Sequence, residues 1–187
     1  TLDSKYVSSV SIDNFEASYF SAKHLIENGH KNIGVIGGAL DTGLSTIRYE
    51  GFLKAMDEAN LSFDFEKSYE SSKYSFEGGE AAVKNLIKRN PDITAIFTMS
   101  DAMAIGACRQ LRDMNYSVPE RFSIIGFDGI SLANYFCPRI TTIRQNADEL
   151  AREGLSVLLD CIEKNANPCH KIIPFEFIKG ESVKKIN

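Results

Sequence analysis

The chain has 187 residues with 21 basic and 25 acidic side chains, a net charge of −4, and 43% apolar and 25% charged residues. That is the composition of an ordinary soluble globular protein, long enough for one large domain or two small lobes. No apolar run reaches the ~18–20 residues of a membrane span, no basic-then-apolar leader opens the chain, and no Lys/Arg stripe equips it to grip phosphate backbones. A membrane protein, a secreted precursor and a stand-alone DNA clamp are set aside. The first residue, Thr1, is not Met, which points to a piece of something longer.

Short β-rich runs alternate with helical patterns. YVSSVSI (6–12) reads as a strand, followed by a helix with Tyr19, Ala22, Leu25 and Ile26 on one face, closed by Asn28-Gly29. NIGVIGG (32–38) is a second strand ending in a glycine-rich loop, and Phe52, Ala55, Met56 and Ala59 mark the next helix. A weaker strand falls around 66–73. It leads into a helix carrying Ala82, Val83, Leu86 and Ile87, stopped at Asn90-Pro91. ITAIFTM (93–99) is a continuous apolar strand, as expected when helices cover both faces of a sheet. Its helix has Ala104, Ala107, Cys108, Leu111 and Met114 in phase, and FSIIGFD (122–128) is another buried strand. The stretch 129–146 breaks the rhythm and is the expected passage between lobes. A last long helix carries Ala147, Leu150, Ala151, Leu155, Leu158 and Ile162, and KIIPFEFI (171–178) ends the fold, with Pro174 demoting it to an edge or a crossover. This alternation means βαβ units, an α/β class and a mainly parallel sheet.

Cys108, Cys137, Cys161 and Cys169 form no C-x-x-C pair. Cys108 and Cys161 fall on apolar helix faces, so buried free thiols in a reducing, cytoplasmic compartment are expected. His24, His30 and His170 lack the spacing of a metal site, and His30 reads as a cation at a helix C-terminus.

In an open parallel sheet, ligands bind beyond the carboxyl ends of the strands. The unusual polar residues gather there: Asp13 and Asn14, Gly37 and Gly38 with Arg48 in the next helix, Lys73 and Tyr74, Ser100 and Asp101, and Asp128. Each has a plainer reading. Asp13, Ser100 and Asp101 suit helix N-caps, Tyr74 suits a core, and Arg48 suits a surface pair with Glu50. Their coincidence on one sheet edge argues for a site. Gly38-x-x-x-x-Gly43 has P-loop spacing, but Leu44 stands where the lysine belongs, which sets aside nucleotide hydrolysis. With no G-x-G-x-x-G, no G-x-S-x-G and no Cys/His pair at usable spacing, nothing is assembled for covalent or acid–base chemistry, and no cofactor is expected. Carboxylates, an arginine, amides and an aromatic ring together suit a small polyhydroxylated ligand.

Five segments in order carry a family resemblance: SIDNFEASYFSAKHLIENGHKNIGVIGG, STIRYEGFLKAMDEANL, SFEGGEAAVKNLI, AIFTMSDAMAIGACRQLRDMNYSVPERFSIIGFDG and PRITTIRQNADELAREGLSVLL. Over about residues 7–182 the chain resembles the LacI/GalR family of bacterial transcription regulators. The resemblance implies a periplasmic-binding-protein-like (type I) fold, with two α/β lobes, three crossovers and an effector in the cleft between them. The crossovers map near Lys31, Arg144 and Pro174. Residues 1–31 and 146–173 then form an incomplete N-terminal lobe, and 32–142 with 174–182 the C-terminal lobe, with the helix-turn-helix absent. Operator DNA would be reached only through that missing part.

By the same resemblance, Arg48, Asp128, Tyr74, Ser100, Asp101, Asp13 and Asn14 are the effector-binding residues. Ser100 replaces the family's commoner Asn, and Gly129 stands where Asp or Asn often follows, so the usual sugars need not be the ligand. Helix 101–115 and the segment around Tyr135–Pro138 match the family's homodimer interface, through Met103, Ala107, Leu111, Tyr135 and Pro138. The implied function is the effector-sensing, dimerising part of a regulator, neither an enzyme nor a membrane protein. A sugar-binding protein of an ABC transporter is the alternative.

Overall fold

The apolar runs assemble in chain order as β1 (Ser9–Ile12), α1 (Asn14–Glu27), β2 (Ile33–Gly37), α2 (Gly43–Glu58), α3 (Phe65–Ser68), β3 (Tyr69–Ser71), α4 (Phe76–Arg89) and β4 (Ala95–Thr98). There follow α5 (Asp101–Asp113), β5 (Ser123–Ile125), α6 (Ser131–Tyr135), β6 (Thr142–Gln145), α7 (Ala147–Glu163), β7 (His170–Ile173) and β8 (Phe175–Ile178). The computed structural model describes residues 6–41, 43–164 and 167–186. Thr42 of the glycine-rich loop, residues 1–5 of the expected lobe segment 1–31 and residues 165–166 of the expected lobe segment 146–173 lie outside them.

β2, β3, β4 and β5 form a parallel sheet in the order β3-β2-β4-β5. Neighbouring strand residues point to opposite faces, and both faces are buried. Ile36, Ile96 and Ile124 pack under α4 and α5 with Val83, Leu86 and Leu111. Val35, Phe97 and Ile125 pack on the other side with Leu25, Phe52 and Met56. The continuous apolar runs follow from this two-sided cover. A second parallel pair, β1 with β7, and an antiparallel pair, β6 with β8, complete the strands among the described residues.

Several sequence expectations need correcting. The 66–73 strand is a short helix, α3, capped by Asp64, followed by only three strand residues. The irregular 129–146 stretch contains α6 and β6. KIIPFEFI is two strands divided at Pro174, one pairing with β1 and the other with β6. α1, expected with β1 in the first lobe, packs instead against α2, burying Ala17, Ala22 and Leu25 in the core shared with β2 and β4. Met103, Ala107 and Leu111 do not reach a surface that a partner can touch. They are fully buried against α4 and the sheet, because the apolar stripe of α5 faces its own core. Of the expected interface residues, Tyr135 is 87% exposed and Pro138 is half-buried.

His30 is not a charged helix cap. It is buried between the Thr94 hydroxyl (2.9 Å) and the Lys184 carbonyl (3.1 Å), and burial lowers its pKa. Cys108 is buried, whereas Cys161 on α7 is only half-buried. No helix among the described residues is long and apolar enough to cross a membrane, and none of their His, Cys, Asp and Glu side chains cluster as a metal site.

Candidate functional site

The cavity forms where α2, the loop after β5 and the start of α1 converge. Its anchor is Arg48, on the inner face of α2 and 3% exposed. Its Nε donates to Asn14 Oδ1 (2.9 Å), its Nη1 to the Met99 carbonyl (2.5 Å), and its Nη2 stands 3.7 Å from Asp128 Oδ1. The guanidinium lies 3.7 Å over the Phe127 ring centroid, a cation–π contact. Burial lowers the Arg48 pKa, and the Asp128 carboxylate opposes that shift. The surface pair with Glu50 is thereby excluded as its main role.

Asp128 follows β5 in an unusual conformation, with φ +113°, and Gly129 follows with φ +72°. Such backbone costs about 1–3 kcal/mol for a non-glycine residue and persists only where its surroundings hold it. The Asp128 N–H donates to the Ile143 carbonyl, and its own carbonyl accepts from Gln145 N–H, which stitches it to β6. Its Oδ1 accepts from Gln145 Nε2 at 2.8 Å. Burial raises the Asp128 pKa, while Arg48 and Gln145 pull it back. Gly129 has a physical reason to lack a side chain: a Cβ there would collide with Arg144 on β6.

A cavity of about 410 Å³ opens over these groups. Of the seven residues expected to bind effector, Asn14, Arg48, Tyr74 and Asp128 line it. Tyr74 is no core residue: it is partly exposed, with its hydroxyl 3.0 Å from Ser45 Oγ. The other three expected residues serve elsewhere. Asp13 caps α1 through Glu16 N–H, and Ser100 caps α5 through Met103 N–H. Asp101 is fully buried, accepting from Thr142 Oγ1 (2.6 Å) and Ile130 N–H (2.8 Å). Burial pushes its pKa up to about 6, against those hydrogen bonds, and the nearby Asp128 charge adds to the rise.

Sequence reasoning missed Val10, Ser11, Leu44, Gln145 and Leu150, which complete the wall. Ser11 Oγ is buried without a partner among the described residues. Val10 and Ser11 come from β1, Gln145 from the end of β6, and Leu44 and Leu150 from the first turns of α2 and α7, so the assembled fold reveals them and no local motif does. The wall combines a carboxylate, a guanidinium, two amides and two hydroxyls with apolar side chains. It suits recognition of a polar small molecule, and none of its groups is a nucleophile paired with a base.

Residues 22–183 match the periplasmic binding protein-like domain. The chain belongs to this family. Over 180 residues it is 46% identical to the HTH-type transcriptional repressor PurR of Actinobacillus pleuropneumoniae, covering 94% of this chain and 53% of that protein. The chain thus spans about half the length of the curated relatives it matches. A solved structure of the transcriptional regulator CelR in complex with cellobiose is similar at a TM-score of 0.90 and 30% identity, over 95% of this chain and 54% of that one. A LacI family transcriptional regulator from Enterococcus faecium with bound ribose gives 0.89 and 28%, over 99% and 68%. All three are transcription regulators by name, the Enterococcus faecium one of the LacI family, which favours that reading over a transporter component.

Proposed function

We propose that this chain is the effector-binding part of a LacI-type transcription regulator, with a sugar or related metabolite held over Arg48 and Asp128. The pairing of those two groups, brought from α2 and the end of β5 to one cavity, carries the reading. Arg48 commits two of its five N–H groups to protein acceptors, with Nη2 facing Asp128 at ion-pair distance, which leaves three N–H groups for a ligand. Asp128 Oδ2 and the Asn14 and Gln145 amides add complementary donors and acceptors.

The cavity wall draws Val10, Ser11 and Leu150 from one side and Arg48, Tyr74 and Asp128 from the other. It therefore lies between two lobes. We assign β1, α7 and β7 to the first, and the four-stranded sheet with its helices, β6 and β8 to the second. Ligand that bridges them changes their relative tilt, and a coupling of about 1–3 kcal/mol suffices for regulation. The regulator works as a cytoplasmic homodimer, with exposed Tyr135 and neighbouring Pro138 at the contact, and reaches operator DNA through a part outside this chain.

The test is a thermal-shift screen of sugars, sugar phosphates and nucleobases, followed by calorimetry. A true ligand at 100 times its Kd adds about 2.7 kcal/mol to stability. Asp128→Ala should weaken it by about tenfold or more. Unchanged affinity in Asp128→Ala overturns the site.

A further inference from the structure

We propose that Asp101 is the positioning residue of the cavity, holding Asp128 opposite Arg48 by gripping the backbone on both sides of it. The proposal rests on the effector-site reading above. Asp101 lines no part of the cavity, yet it brackets Asp128. Its backbone N–H donates to the Phe127 carbonyl (2.6 Å), and its Oδ2 accepts from Ile130 N–H (2.8 Å). Its Oδ1 accepts from Thr142 Oγ1 (2.6 Å), which ties the same carboxylate to β6.

Two neighbours are shaped around this grip. At Gly126 a Cβ would run into Asp101 Oδ1, so the strand end stays bare and lets the carboxylate in. Between the bracketed atoms lie Asp128 and Gly129, both in left-handed backbone, which needs an external hold. A buried carboxylate is costly unless its hydrogen bonds are made, and these bonds all go to the loop that carries Asp128 or to the strand beside it. Ser100 already caps α5, so the carboxylate is not spent on the helix.

The test follows the Gln145 side-chain amide by NMR in the full chain without ligand, because that amide donates to Asp128 Oδ1. Its signal is assigned by its loss in Gln145→Glu, and Asp128→Ala marks the unpaired position. Asp101→Ala and Thr142→Val should both move the signal towards that position, Thr142→Val by less. Asp101→Asn should leave it in place: its carbonyl meets Ile130 N–H, and its amide meets the Thr142 hydroxyl, which turns to the Ile143 carbonyl 3.3 Å away. An unmoved signal in Asp101→Ala or Thr142→Val, with a lowered melting temperature, overturns the proposal and leaves Asp101 a fold staple. If Asp101→Ala does not fold, Thr142→Val and Asp101→Asn decide. Failure of the effector reading shows separately, as no thermal shift of the unmutated chain with any compound of the panel. With a compound that does bind, Asp101→Ala should raise Kd by about tenfold and Asp101→Asn should restore it.

Discussion

The four-stranded sheet and the β1–β7–α7 group both carry apolar residues in phase but end in opposite states. In the first, Phe52, Phe97, Leu86 and Ile124 are sealed on both faces of the sheet. In the second, α7 has a strong apolar stripe, yet only Val157 is buried, and Ile162 is 67% exposed along with Leu155, Leu158 and Leu159. Tyr6 and Val7 continue the uncovered surface beside it. Periodicity tells which residues share a face. Burial depends on whether another element supplies the opposite wall.

The largest effect should separate the two regions directly. Phe97→Ala should cost about 3–5 kcal/mol in urea unfolding, since its cavity is enclosed. A cost below about 1 kcal/mol would mean the sheet core is not closed as described.

Next comes a pH signature of the sealed region. Asp101 has its folded pKa raised from 3.8 to about 6, so the folded chain binds more protons than the unfolded one between those values. The favourable contribution is present below about pH 4 and lost as pH rises through about 6, a change of about 3 kcal/mol. The charged group facing it is Asp128. Asp101→Asn should therefore gain stability relative to the unmutated chain as pH rises from 4 to 7, read from melting temperatures; parallel curves would refute the shift. Arg48→Ala should destabilise by about 2–3 kcal/mol, because the Met99 carbonyl and the Asn14 amide lose their donor. The sequence alone suggests a substitution neutral to the fold; burial reverses that expectation, and denaturant unfolding measures it.

The smallest effect belongs to the uncovered region. Leu158→Ser with Ile162→Ser should change stability by less than about 0.5 kcal/mol while reducing binding of an apolar dye. A loss above about 2 kcal/mol would show that the face is packed after all.

Long, strongly patterned elements were legible in the sequence. β2, β4 and β5 announce themselves as unbroken apolar runs, and α4 and α5 as amphipathic stretches with stop signals. Short elements were not: α3 and α6 have too few residues for a period to show. Ala104, Ala107, Cys108 and Leu111 share one buried helical face as their spacing predicts, but a stripe of small apolar residues carries no sign of whether it meets its own sheet or another molecule. At the site, Arg48, Asp128, Tyr74 and Asn14 stood out by chemistry at strand ends. Asp13, Ser100 and Asp101 share that chemistry and position, and only their hydrogen bonds assign them to caps and a clamp. Gln145 and Ser11 were hidden because an ordinary polar residue gains meaning only from the strand register that delivers it.

Pro174 separates two ladders by a single residue: Ile173 pairs with Ile12, and Phe175 pairs with Gln145. An imino acid has no N–H to offer, so no rung is left dangling at the join. It works like the fold line in a card, across which no stitch runs. A tilt at that join would break no rung of either weave.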